Sequence, residues 1–440
     1  MVRTKSTLQP QPARFGAARL YRDAGSMASS SVANAVLGMA FWALAAKMFP
    51  PEKLGVMTAV LAVIVSVGVV VAAGVGDAYT ALLPAAGPDR PALYRRGQRL
   101  FFGLALVIGI AAALATTTWL REVRGSVVIA VLVVVGILAW SALTLQNSTL
   151  VALGRARWLP AANVAVSLGK IALLPLLALA HVWHAVEFSF VLAAILMVAI
   201  LRPTIVRVID SGDDLPDAST AGAISTRTFD RFVAQTTVSS ALSMGLVNVT
   251  PFVVTVFSGP KEGALFALSL SIVQAVDFMG AALVVSLVVH ASSTPAEAGA
   301  MARAILIRVV VLAVTGGLAL VLVAPNALRW LNPHYGSMGA TAVIGVLAMG
   351  TVFRCTYMVW AGLQRSRRNM KVPLLFNFFC AVLLLSIMPA LTSEHGALGG
   401  AVALLLSQLA VVTAIGIHVL FTHRRGWRTS VPGTSKQEAT

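Results

Sequence analysis

Apolar residues along this chain come in long runs, cut by clusters of charge and by proline and glycine. Runs of about 20 residues are what a helix needs to cross a hydrocarbon core. Twelve such segments can be marked: 25–48, 55–83, 98–118, 126–152, 160–181, 184–205, 232–256, 263–290, 303–325, 339–363, 372–392 and 396–421. The connections are short. The longest, 206–231, carries Asp210, Asp213, Asp214, Asp217 and Asp230 among Ser, Thr and Gly, and lies midway, where a linker between two halves belongs. The pattern predicts an all-α polytopic membrane protein with twelve transmembrane helices in two six-helix bundles around a central cavity. The expected organisation is a segment 1–24, a first bundle 25–205, a linker 206–231, a second bundle 232–421 and a tail 422–440.

Composition narrows the class. Of 440 residues, 58% are hydrophobic and 11% charged, against about 25% charged in soluble domains. A water-soluble fold, a secreted disulfide scaffold and a disordered chain are all excluded. Cys355 and Cys380 lie inside apolar runs, which suits no structural disulfide. His181, His184, His334 and His395 are scattered without ligand spacing, so no metal and no cofactor are expected. The net charge of +17 would suggest nucleic acid in a soluble protein. Here it reads as basic loops facing an anionic leaflet, and no nucleic-acid partner is expected.

The basic residues are distributed unevenly. Of 33 Lys and Arg, 25 fall on one side of the predicted spans, 6 on the other, and 2 (Lys170 and Arg354) within spans. Positive charge stays cytoplasmic, so both termini are expected in the cytoplasm and the protein in the cytoplasmic membrane. The apolar stretch after the basic N-terminus is too long for a signal-peptide core, so it is expected to be retained. Cysteine labelling at positions 52, 122 and 261 should report the outer face. A cytoplasmic signal at those three positions would overturn this topology.

The two halves repeat. Phe49-Pro-Pro-Glu-Lys-Leu-Gly55 and Phe257-Ser-Gly-Pro-Lys-Glu-Gly263 each precede an apolar run. In the same order, Leu153-Gly-Arg-Ala-Arg157 matches Leu363-Gln-Arg-Ser-Arg367, and Pro175 matches Pro389. Ordered matches at a nearly constant offset indicate two six-helix repeats. An even number of spans per repeat relates the halves by an axis along the membrane normal.

The element Ala46-Lys-Met-Phe-Pro-Pro-Glu-Lys-Leu-Gly-Val-Met-Thr58 and the loop Ala152-Leu-Gly-Arg-Ala-Arg157 resemble features of polysaccharide and O-antigen flippases. These belong to the multidrug/oligosaccharidyl-lipid/polysaccharide (MOP) exporter superfamily. The resemblance implies export of a prenyl-pyrophosphate-linked saccharide across the membrane by alternating access, without enzymatic chemistry. It implies membrane lipids, a polysaccharide polymerase and glycosyltransferases as partners. The multidrug branch often carries an acidic residue in its first span, where this chain offers Asn34.

Polar groups within spans are costly and mark function. Lys170 in the fifth span and Arg354 in the tenth come one from each half. A pyrophosphate crossing a low-dielectric interior needs cations, and Arg supplies a bidentate fork. Both are candidate cavity cations. Asp277 in the eighth span has two readings, coupling or gating on one side and a buried ion pair with Arg354 on the other. Asp77, near the end of the second span, is a second coupling or gating candidate, with a salt bridge to Arg95 or Arg96 as its structural reading. Gln146 and Asn147, with Ser148 and Thr149 beside them, suit sugar hydroxyls or helix–helix hydrogen bonds equally. Glu187 reads as interfacial. Pro175, Pro251 and Pro389 free backbone carbonyls and kink helices, as hinges or as tolerated bends.

Two alternatives to the flippase stand: a cation-coupled multidrug antiporter and a polytopic glycosyltransferase. For the second, the acidic residues on the outer side (Glu52, Glu122, Glu187, Glu262 and Glu394) form no paired motif in a sizeable loop.

Overall fold

The structure, a computed structural model, describes residues 36–84, 86–211, 226–293, 298–333, 335, 338–366 and 371–429. The expected N-terminal segment 1–24, the start of the first span and most of the central linker lie outside them. So does Arg367, the last residue of the second repeat's Leu-Gln-Arg-Ser-Arg element.

In chain order the described residues form α1 (Val36–Met48), α2 (Pro51–Leu82), α3 (Arg90–Trp119), α4 (Val127–Ala152), α5 (Leu159–Leu179) and α6 (Ala185–Ser211). Next comes α7 (Thr226–Ser240), which passes through a π turn at Ala241–Gly245 into α8 (Leu246–Ser258). The remainder are α9 (Pro260–Ser293), α10 (Ala298–Leu331), α11 (Ala340–Ser366) and α12 (Lys371–Thr429). Ten described stretches are long and apolar enough to span a membrane, α7–α8 counting as one. Within α12, Gly396 leaves the helical region at φ 59 and ψ −138, so the element is two helices end to end. These stretches fall on eleven of the twelve apolar segments, and α1 is the described part of the first. The protein is a multi-pass, all-helical membrane protein.

Helix ends extend past the apolar runs, because helices continue into water where capping and charge favour them. α2 begins at Pro51 rather than at 55, with proline at N1 and Glu52 in the first turn, where an acidic side chain complements the helix dipole. α3 begins at Arg90 with Pro91 at its start. Arg95, Arg96 and Arg99, at or before the start of the third apolar segment, therefore stand on helix. Ser126 caps α4 by accepting from the backbone N–H of Ile129 at 3.4 Å.

The first half packs α2 with α3 and α4, and α4 with α6, which in turn meets α5; the second packs α8 through α12 about α9 and α11. Between the halves stands α2, which packs against α7, α8 and α9. Its Leu54, Ile64, Val71, Val75 and Tyr79 are fully buried. The outward faces of α3 (Phe102, Leu106, Val107, Ile110) and α10 (Val311, Val314, Leu318, Leu322) are exposed and apolar, as lipid-facing surfaces are.

The repeated loops are stitches between helices. Lys261 pairs with Glu52 at 2.9 Å, which joins the start of α9 to the start of α2. Glu262 accepts the backbone N–H of Ala397 at 2.8 Å and so caps the second part of α12 just past the Gly396 break. Ser258 donates to the carbonyl of Thr392 at 2.6 Å. Lys53 lies over the Trp183 ring at 4.8 Å.

Candidate substrate cavity

A cavity of about 390 Å³ lies where α1, α2, α4, α5 and α6 of the first half face α8 and α9 of the second. Along α2 its wall is Thr58, Leu61, Ala62 and Val65. On one side of that stretch, Gly55 lies against the backbone of Pro260. On the other, Ser66 donates to the carbonyl of Gly245 at 2.6 Å, and Thr236 donates to that of Gly74 at 3.0 Å. The two halves thus meet on both sides of the cavity. The Gly245 carbonyl belongs to the π turn, whose altered bonding leaves backbone groups needing outside partners.

Among the described residues, Lys170 is the one charged side chain lining the cavity. Its ammonium lies 5.1 Å from the centroid of Phe41 and 5.3 Å from that of Phe190, within reach of cation–π attraction. It has no carboxylate partner among the described residues. Around it stand Thr144, Asn147, Asn163, Ser167, Asn248, Ser271 and Gln274, with Trp42, Trp140 and Phe278 as aromatic walls. Asn147 donates to Asn163 at 3.2 Å. The carbonyl oxygen of Asn147 and the indole N–H of Trp140 are buried without a partner. Buried polar atoms left unmatched call for an explanation, and these two border a cavity.

Arg354 is placed elsewhere. Its Nε donates to Asp277 Oδ1 at 3.1 Å while Nη2 meets Oδ2, so the pair is bidentate. Thr351 adds a contact to Nη2 at 3.4 Å. The pair joins α9 to α11 beside a small core of Val276, Val309, Cys355 and Val359. Neither partner lines the cavity, from which Leu270 separates the small void at Arg354. Of the two readings of Asp277, the structure brings together the residues of the ion pair.

The neighbours Gln146 and Asn147 part company. One residue step turns a helix by about 100°, so Asn147 reaches the cavity while Gln146 donates to the carbonyl of Val198 on α6 at 3.1 Å. Asp77 lies exposed near the end of α2, away from the cavity. Arg96, one of the two arginines expected to reach it, instead grips Asp230 on α7 at 3.0 Å and 2.5 Å. Glu187, expected at the interface, is fully buried and pairs with His184 at 2.9 Å, because α6 starts at Ala185 and its first turn packs inside the bundle. Asn163, Asn248 and Gln274 escaped the sequence reading, since single amides in apolar helices look the same whether they face lipid, helix or cavity.

Similarity in three dimensions shows the fold. A MATE-family multidrug resistance transporter of the MOP superfamily, in an inward-facing conformation, matches with a TM-score of 0.67 at 14% identity, over 92% of this chain and 100% of its own. The lipid II flippase MurJ, inward closed, matches with a TM-score of 0.72 at 14% identity, over 90% and 87%. This chain shares the fold of these two transporters. A MOP-superfamily transporter from Pyrococcus furiosus, described as having a binding pocket of reversed polarity, matches with a TM-score of 0.61 at 13% identity, over 92% and 95%. No family model and no curated protein matches the sequence. In this MOP-type fold the cavity at Lys170 is the candidate substrate site.

Proposed function

We propose that this protein is a flippase that moves a prenyl-pyrophosphate-linked saccharide across the cytoplasmic membrane by alternating access, with both termini cytoplasmic. The observation that carries the reading is the polarity of the cavity: among the described residues it offers one ammonium, no carboxylate, and a surround of amides, hydroxyls and aromatic rings. The ammonium suits a phosphate. The amides and hydroxyls suit sugar hydroxyls, and the aromatic walls suit the apolar faces of sugar rings. The structural neighbours include a flippase of a lipid-linked substrate. Glycosyltransferases supply such a substrate on one side of the membrane and a polymerase consumes it on the other. A drug/cation antiporter is less well served, because a cationic drug needs an acidic cavity and Asp277 is held by Arg354 outside it.

Lys170→Gln is expected to slow flipping about tenfold or more, since hydrogen bonds to charged groups contribute roughly 1.5–3 kcal/mol. Protein abundance should stay near normal, and Lys170→Arg should retain part of the activity. The measurement is accumulation of lipid-linked precursor and loss of surface glycan in a depleted strain complemented with each variant. Unchanged precursor and glycan on depletion, with lost resistance to cationic dyes, would replace this reading by the antiporter.

A further inference from the structure

A second concavity, of about 400 Å³, lies between α3 and α6 at the end of the bundle that carries the basic helix starts, and no residue lines both it and the substrate cavity. Three arginines converge on it: Arg95 and Arg99, one turn apart on α3, and Arg202 on α6. Among the described residues none of the three makes an ion pair or a hydrogen bond. Their neighbour Arg96 faces the other way and holds Asp230 with both ends of its guanidinium. Like charges one turn apart on a helix repel, and among the described residues of the groove the one acidic side chain, Asp210, is outnumbered by the three arginines.

The surface next to the groove is apolar. Phe102 and Val206 belong to its wall and are exposed. Beyond them toward the middle of the spans, Leu106 and Ile110 on α3 and Ile200 and Leu196 on α6 continue an exposed stripe. A cationic groove at a helix end that opens onto an apolar, lipid-facing stripe has the two-part chemistry of a phospholipid. We propose that the groove binds the phosphate headgroup of an anionic glycerophospholipid, whose acyl chains lie along the stripe of α3 and α6. The site is separate from the transport cavity and does not depend on what that cavity carries.

The test is lipid retention by the full-length protein, purified in detergent and titrated with phosphatidylglycerol or phosphatidylcholine under native mass spectrometry. The wild type should retain phosphatidylglycerol in preference. The triple variant Arg95→Gln, Arg99→Gln, Arg202→Gln should lose that preference on the order of a hundredfold, the summed attraction of three arginines. A control triple, Arg207→Gln, Arg303→Gln, Arg308→Gln, removes equal charge elsewhere and should keep it. Arg95→Lys, Arg99→Lys, Arg202→Lys should recover much of the binding, which separates loss of the site from misfolding. Equal loss in both Gln triples would overturn the proposal in favour of diffuse charge. So would preferential retention of a prenyl pyrophosphate over phosphatidylglycerol, which would assign the groove to substrate capture.

Discussion

Asp277→Asn is expected to lower the amount of folded protein in the membrane sharply. The carboxylate is the bidentate partner of Arg354, and with it neutralised the guanidinium is left with Thr351 at 3.4 Å. Both side chains are mostly buried, at 16% and 12% exposure for Arg354 and Asp277. Removing one member of a buried pair costs about 3–5 kcal/mol, because the other charge stays in a low-dielectric surround. Arg354→Gln should fall by a similar amount for the mirror-image reason. The double variant removes both charges together, so it should recover most of the lost stability, with a coupling energy far from zero. Thermal stability in detergent and membrane abundance measure one half of this cycle, and transport measures the other. If the double variant transports at the wild-type rate, Arg354 holds its helix and not the substrate. If the double is abundant but inactive, the Asp277–Arg354 pair acts in transport as well as in folding.

Gly55→Ala should be nearly as damaging, through geometry alone. A Cβ built at Gly55 would sit 1.7 Å from the carbonyl oxygen of Pro260 and 2.4 Å from its carbonyl carbon. The obstacle is backbone, so no rotamer change relieves it, and the starts of α2 and α9 must separate. Overpacking of this kind costs about 1–3 kcal/mol, occasionally more. The separation should also loosen the Glu52–Lys261 bridge beside it, and with it closure of the two halves at that end. The expected results are lower crosslinking between cysteines placed at 52 and 261, and transport reduced severalfold. Gly103→Ala is the matched control: its Cβ would meet nothing within 4 Å, so stability should hold or rise slightly. Unchanged crosslinking in Gly55→Ala would mean that the two ends have room to spare and do not close on each other.

The sequence by itself determined the spans and their breaks. A bilayer demands about 20 apolar residues for each helix, and backbone polar groups with no water nearby enforce helix throughout, so length and hydropathy left little choice. The repeats at Phe49–Gly55 and Phe257–Gly263 were also legible, because their Pro, Gly and charged residues interrupt an otherwise uniform apolar text. What hydropathy could not reach was direction. Lys170 and Arg354 look alike in sequence, one buried cation per half, yet one lines the cavity and the other is tied to Asp277. Gln146 and Asn147 are adjacent, yet one bonds to α6 and the other faces the cavity. Arg95, Arg96 and Arg99 are close together in sequence, but on α3 they split, Arg96 to Asp230 and the other two to the groove between α3 and α6. Hydropathy responds to whether a side chain leaves water, which one residue type decides. Which neighbour it meets depends on the rotation and crossing of two helices, set by many contacts spread along α2, α4, α6, α9 and α11, and only the tertiary structure decides that.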